Sequence, residues 1–198
     1  MSAAIIPLFR EEELPSWRIE NLYGRLVELT GREDGAQLTA AFSLVRLAQE
    51  QREPVALVQL RHHTFFPPDA SAGGIDLDSL VVIRVAAAND LTRAAEQLVR
   101  SGAFGLVVID LGENAQVPMP LLTRLAGLAK KHSCAVVFLT TKRPELPSLG
   151  SLVSLRGDVR LHRVSERTFE VVVRMTKDKH RAPNWEHGEV CLGPPGLC

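Results

Sequence analysis

The chain of 198 residues is poor in aromatics, at 5%, and holds one tyrosine and three cysteines. The cysteines, Cys134, Cys191 and Cys198, are odd in number and form no C-x-x-C pair, which argues against a disulfide framework or a metal cluster. No apolar run approaches the ~20 residues needed to cross a bilayer. The start, Met1-Ser2-Ala3-Ala4-Ile5-Ile6-Pro7, lacks a basic leader and a long apolar core, so it does not read as a signal peptide. A cytoplasmic protein with no membrane partner is the expectation. Net charge is also missing: 23 basic side chains balance 23 acidic ones, against the profile of a strongly basic nucleic-acid binder.

What is present suits one globular domain. The hydrophobic fraction is 45% and the charged fraction 23%. Charge is unevenly spread. Residues 1–35 hold seven acids and four bases, whereas residues 142–181 hold ten bases and five acids. An acidic front and a basic back permit head-to-tail self-association or one basic face, and equally two solvated faces with no partner. Weak single-stranded DNA binding stays open, but few aromatics accompany the basic segment to stack on bases.

Hydrophobic periodicity divides the chain into three parts. Residues 1–21 form an arm, with apolar Ala4-Ile5-Ile6-Pro7-Leu8-Phe9 followed by Glu11-Glu12-Glu13. Such a segment cannot build a core alone and needs to dock on its own domain or on a neighbour. Residues 22–179 form the core. Strands are predicted near 24–31, 55–60, 80–85, 106–110 and 135–139. Helices are predicted from Ala36 to about Gln51, after a capping Asp90 to Gly102, and after Pro118. Residues 61–80 read as irregular because Pro67-Pro68 and Gly73-Gly74 break the pattern. Alternating strands and helices imply a mostly parallel sheet covered on both faces. Residues 159–164 and 169–174 then alternate about a short polar turn, as an antiparallel hairpin does. Residues 180–198, rich in Pro and Gly, read as a partly ordered tail.

One strand–loop–helix carries the chemistry. A P-loop, G-x-x-x-x-G-K-[ST], would fall on Gly31-Arg32-Glu33-Asp34-Gly35-Ala36-Gln37-Leu38-Thr39. Gly31 is in place, but Ala36 replaces the second glycine, Gln37 the lysine and Leu38 the hydroxyl. A lysine charge at about 4 Å from a phosphate is worth roughly 4 kcal/mol at an effective dielectric of 20. An amide supplies none of it. Leucine cannot hold Mg²⁺, and Asp34 puts negative charge near the phosphate path. Asp110, at a strand exit, reads as a metal-facing carboxylate or as a structural hydrogen-bonding group. His62 and His63 would point to opposite faces of a strand and so do not make a metal pair. No metal and no cofactor are expected.

The stretch Gly24 to Glu33 resembles the strand and Walker A segment of the RecA recombinase core. Arg100 to Asp110 resembles its Walker B strand, and Arg174-Met175-Thr176-Lys177-Asp178-Lys179 resembles its paired lysines that reach a neighbouring subunit. The resemblance runs with gaps over about residues 22–183. It implies a RecA-like α/β core, and it implies a subunit or DNA contact for Lys177 and Lys179, which could also be plain solvated lysines. Lys142 and Arg143 join them as candidates for that contact. The family's catalytic glutamate is replaced by Arg61, its nucleotide-sensing glutamine by Thr140-Thr141, and its two DNA-binding loops are short here.

Among RecA-like proteins the chain is most similar to the ImuA family. That resemblance implies a non-catalytic accessory scaffold in bacterial SOS-induced translesion synthesis. The implied partners are an ImuB-like inactive Y-family polymerase, RecA and a DnaE-type polymerase. The tail with Arg181 and Trp185 fits a partner-binding extension, Trp185 serving as an interface anchor or folding back on its own sheet. The alternative is a SulA-like division inhibitor that binds FtsZ.

Overall fold

The strands at the centre of the molecule are apolar at nearly every position, and a strand with no polar face must be covered on both sides. The computed structural model describes residues 17–32, 36–63, 65–113, 116–143 and 145–192. In it β1 (Leu26–Gly31) is buried along its whole length, and β2 (Val55–Leu60) and β5 (Ala135–Thr141) are buried except at their last residues. With β3 (Leu80–Val85) and β4 (Leu106–Gly112) they form the parallel part of one eight-stranded sheet, ordered β3-β2-β4-β5-β1-β6-β7-β8. β6 (Leu155–Arg163) runs parallel to β1. β7 (Thr168–Asp178) and β8 (Glu186–Leu192) then continue the sheet antiparallel.

The helices divide between the two faces. α1 (Ala36–Glu50) buries Ala40, Ala41, Leu44, Val45 and Ala48 on one face, together with Val27, Leu29, Val137 and Val173. α3 (Ala88–Ser101) and α4 (Met119–His132) bury Leu91, Ala95, Val99, Leu122 and Leu125 on the other, with Leu26, Ile109 and Phe138. Gly102, at φ 69°, ends α3 in the left-handed conformation that glycine adopts without strain. The Cys134 thiol is fully buried, which pushes its pKa up to about 12.

Four expectations change. Residues 61–80 are not wholly irregular: α2 (Pro67–Ala72) starts at the proline pair, because proline fits the first helical turn, where no internal N–H bond is needed. Asp90 does not cap α3. Ala87 occupies that position without a side-chain bond, and Asp90 lies in the first turn. The core begins before residue 22, since Trp17 and Ile19 are buried in it. Much of the presumed tail is β8. Its residues alternate between exposed and half-buried, with Trp185 and Cys191 packed against the α1-side core. The period-2 stretch is short and flanked by prolines and glycines, which mask it in the sequence.

One buried ion pair joins the beginning of the sheet to its end. Arg25 Nη2 lies 2.7 Å from Asp178 Oδ1, with side chains 7% and 1% exposed. Arg25 also donates to Ser154 Oγ at 2.9 Å and to the Asn21 carbonyl at 3.2 Å. The Trp185 indole donates to Asp178 Oδ2 at 3.3 Å. Burial raises the Asp178 pKa, but the His180 N–H, Arg25 and Trp185 outweigh it and hold the carboxyl below its ordinary value. A depressed folded pKa means that the contribution is complete above the unfolded pKa of about 3.9 and is lost as pH falls through the folded value. Urea unfolding at pH 7 and pH 3 should show a larger loss of stability for the wild type than for Asp178→Asn.

Candidate functional site

In a parallel α/β sheet the crevice beyond the carboxyl ends of the strands is where ligands bind. Here β2, β4 and β5 end, and α1 begins, around a cleft of about 630 Å³ lined by Gln37, Leu38, His63, Asp110, Leu139 and Thr141. Glu33, Asp34 and Gly35, the middle of the P-loop-like segment, lie outside the described residues.

The start of α1 is filled by its own side chain. Gly31 and Ala36 are buried, and the Gln37 carboxamide, 8% exposed, lies over Gly31. A Cβ at position 31 would stand 2.4 Å from Gln37 Oε1. Gln37 Nε2 donates to Thr141 Oγ1 at 3.3 Å, whereas Oε1 has no hydrogen-bond partner among the described residues. Leu38 is half-buried and brings an apolar branch to the cleft. Thr39, the nearest hydroxyl, is exposed and lines a neighbouring groove instead.

Asp110 is already engaged. Its Oδ2 lies 2.7 Å from His63 Nδ1, and its Oδ1 accepts the Gly112 N–H at 3.3 Å. The structure therefore favours the hydrogen-bonded reading of this carboxylate. Sequence reasoning missed the pair because positions 63 and 110 are far apart. The available signal was strand order, since β2 and β4 are neighbours whose ends open on one cleft. His62 and His63 lie beyond the strand, with rings edge to face at 4.9 Å. Among the described residues no group of three or more His, Cys, Asp or Glu could hold a metal. Arg61 is exposed.

On the opposite face of β1 a second network forms. Glu28 is fully buried, with Oε1 2.5 Å from Lys142 Nζ and 3.3 Å from Thr140 Oγ1. Its Oε2 accepts the Leu149 N–H at 3.0 Å and lies 3.8 Å from Arg156 Nε. Lys142 also donates to the Pro147 carbonyl and Arg156 to the Leu146 carbonyl, both in the loop after β5. Lys177 and Lys179 donate to the Gly150 and Ser151 carbonyls of the same segment. Burial, and then the Lys179 charge, lower the Lys177 pKa. So Lys142, Lys177 and Lys179 come together, but on a loop of their own chain. Arg143 and Arg181 are exposed, without a side-chain partner among the described residues. Trp185 is half-buried and folds back on its own sheet through Asp178.

The strand order, the helix that follows β1 and the cleft at the strand ends define a RecA-like α/β domain. The profile of the RecA N-terminal domain matches residues 21–120, half of the chain, and the chain belongs to that family. Similar proteins include the protein RecA of Clostridioides difficile (strain 630), 28% identical over 166 residues that cover 70% of this chain and 47% of the relative. That of Clostridium novyi (strain NT) is 27% identical over 142 residues, 62% of this chain and 40% of the relative. That of Fusobacterium nucleatum subsp. nucleatum is 26% identical over 197 residues, 81% of this chain and 52% of the relative. The chain spans about half the length of the curated relatives it matches.

Both networks are open to measurement. Glu28→Ala leaves two cations buried without their carboxylate, and urea unfolding should show a loss of about 3–5 kcal/mol. A double-mutant cycle of His63→Ala and Asp110→Ala should give a coupling of about 1 kcal/mol or more at pH 6. Strict additivity would mean that the bond does not persist in solution.

Proposed function

We propose that this chain is a non-catalytic RecA-like subunit that works by binding proteins. The observation that carries this reading is the Gln37 carboxamide lying over Gly31, where phosphate chemistry requires an open loop and a lysine. Leu38 supplies no oxygen for a metal, and Asp110 is bonded to His63. Helix α1 keeps its N-terminal dipole, but a weak field without lysine, hydroxyl and free carboxylate cannot support nucleotide hydrolysis.

Within RecA-like proteins the role that fits is that of the ImuA family, an accessory scaffold of damage-induced translesion synthesis. Its direct partner is an ImuB-like inactive Y-family polymerase, with RecA and a DnaE-type polymerase in the same assembly. DNA contributes little to its contacts, because Lys142, Lys177 and Arg156 are spent on the chain's own loop. Purified protein should show no ATP turnover and no thermal stabilisation by ATP with Mg²⁺. Robust turnover overturns the proposal. Affinity capture from damage-treated source cells should recover the polymerase relative or RecA. Recovery of FtsZ without them would reassign the chain as a division inhibitor.

A further inference from the structure

A sheet that ends on an unpaired strand offers its backbone to another chain. Among the described residues β8 pairs only with β7, over seven residues and with no bulge to turn it aside. The direction of its backbone groups follows from the ladder. The Met175 N–H donates to the Trp185 carbonyl at 2.9 Å, and the Met175 carbonyl accepts the Asn184 N–H at 2.8 Å. Alternate residues of β7 repeat that direction, so Val173, Val171 and Phe169 bond to their register partners His187, Glu189 and Cys191. The N–H and carbonyl groups of Gly188, Val190 and Leu192 then point away from β7, along the free edge.

The side chains on that edge suit burial. Val190 is 64% exposed and Leu192 81%. Residues 188–192 hold one charge, Glu189, and neither lysine nor proline, the residues that commonly guard an edge. The opposite edge of the sheet, β3, carries the exposed Arg84.

Charge selects the occupant. Two copies of β8 meet antiparallel about a two-fold axis, a contact that closes on itself. An axis at Glu189 sets two carboxylates directly opposite, which is destabilising. An axis at Gly188 sets Val190 against Glu186, and an axis at Cys191 joins fewer of the outward residues. An axis at Val190 sets Val190 beside its counterpart, Leu192 opposite Gly188 and Glu189 opposite Cys191. All the outward groups of residues 188–192 then pair, through about six backbone hydrogen bonds. In apolar contact and in charge, β8 is complementary to itself.

We propose that β8 is a homodimer interface, in which two copies pair antiparallel through residues 188–192 with Val190 on the two-fold axis. The sheet then runs unbroken through both copies. This is independent of the functional reading, because it involves neither the strand-end cleft nor another protein.

Sedimentation equilibrium of the full chain, from low to high micromolar concentration, should show monomer and dimer and nothing larger. Val190→Pro removes only an outward N–H, a change that an edge strand tolerates. It should weaken dimerisation at least about tenfold, for two lost backbone bonds, and leave the circular dichroism of the monomer unchanged. In a Cys191→Ser, Cys198→Ser background, Val190→Cys should form a disulfide between copies on mild oxidation. The paired residues place their Cα atoms about 5.5 Å apart, within disulfide reach. Val81→Cys, on β3, should form none. A chain that stays monomeric, a dimer that survives Val190→Pro, links at position 81 in place of 190, or growth beyond the dimer each overturns the proposal.

Discussion

Glu28 is fully buried in the central strand, and an isolated carboxylate cannot remain there charged without compensation of several kcal/mol. Two cations, a hydroxyl and a backbone N–H supply it. They come from three places: Lys142 and Leu149 from the loop after β5, Thr140 from β5, Arg156 from β6. The one charge therefore fixes where that loop lies and how the antiparallel strands join the parallel ones. Lys177 and Lys179 add further bonds to the same loop from β7 and its exit. A segment so heavily held is not free to reorder around a ligand.

The pleat keeps this network apart from the cleft. Successive strand residues point to opposite faces. Thr140 meets Glu28 on the α4 side, and Thr141, one residue later, meets Gln37 on the α1 side. Gly31 and Glu28, odd and even on β1, divide in the same way. Gln37 and the His63–Asp110 pair line the strand-end cleft, and ion pairs surround Glu28.

The Arg25–Asp178 pair performs at the base of the sheet what Glu28 performs near its upper end. It connects the entry of β1 to the exit of β7 and holds Trp185, and so positions β8. The three C-terminal strands are thus tied to the RecA-like part at two levels. Their α1-facing side completes the core, while their other side is largely exposed and carries the Arg174–Glu186 ion pair together with Val190.

The sequence by itself determined the parallel core, because apolar runs such as Leu106–Ile109 and Ala135–Leu139 admit only strands buried on both faces. It also carried the missing lysine and hydroxyl at Gln37 and Leu38, since residue identity alone decides which ligands a position can offer. Only the tertiary structure decided that Gln37 lies on Gly31, that His63 holds Asp110, and that Lys142, Lys177 and Lys179 turn inward. Each of these is a contact between residues remote in sequence, and strand order, not spacing along the chain, sets their distance. The same reason hid β8: its pairing partner is β7, and a short edge strand among prolines and glycines has little periodicity of its own to announce it.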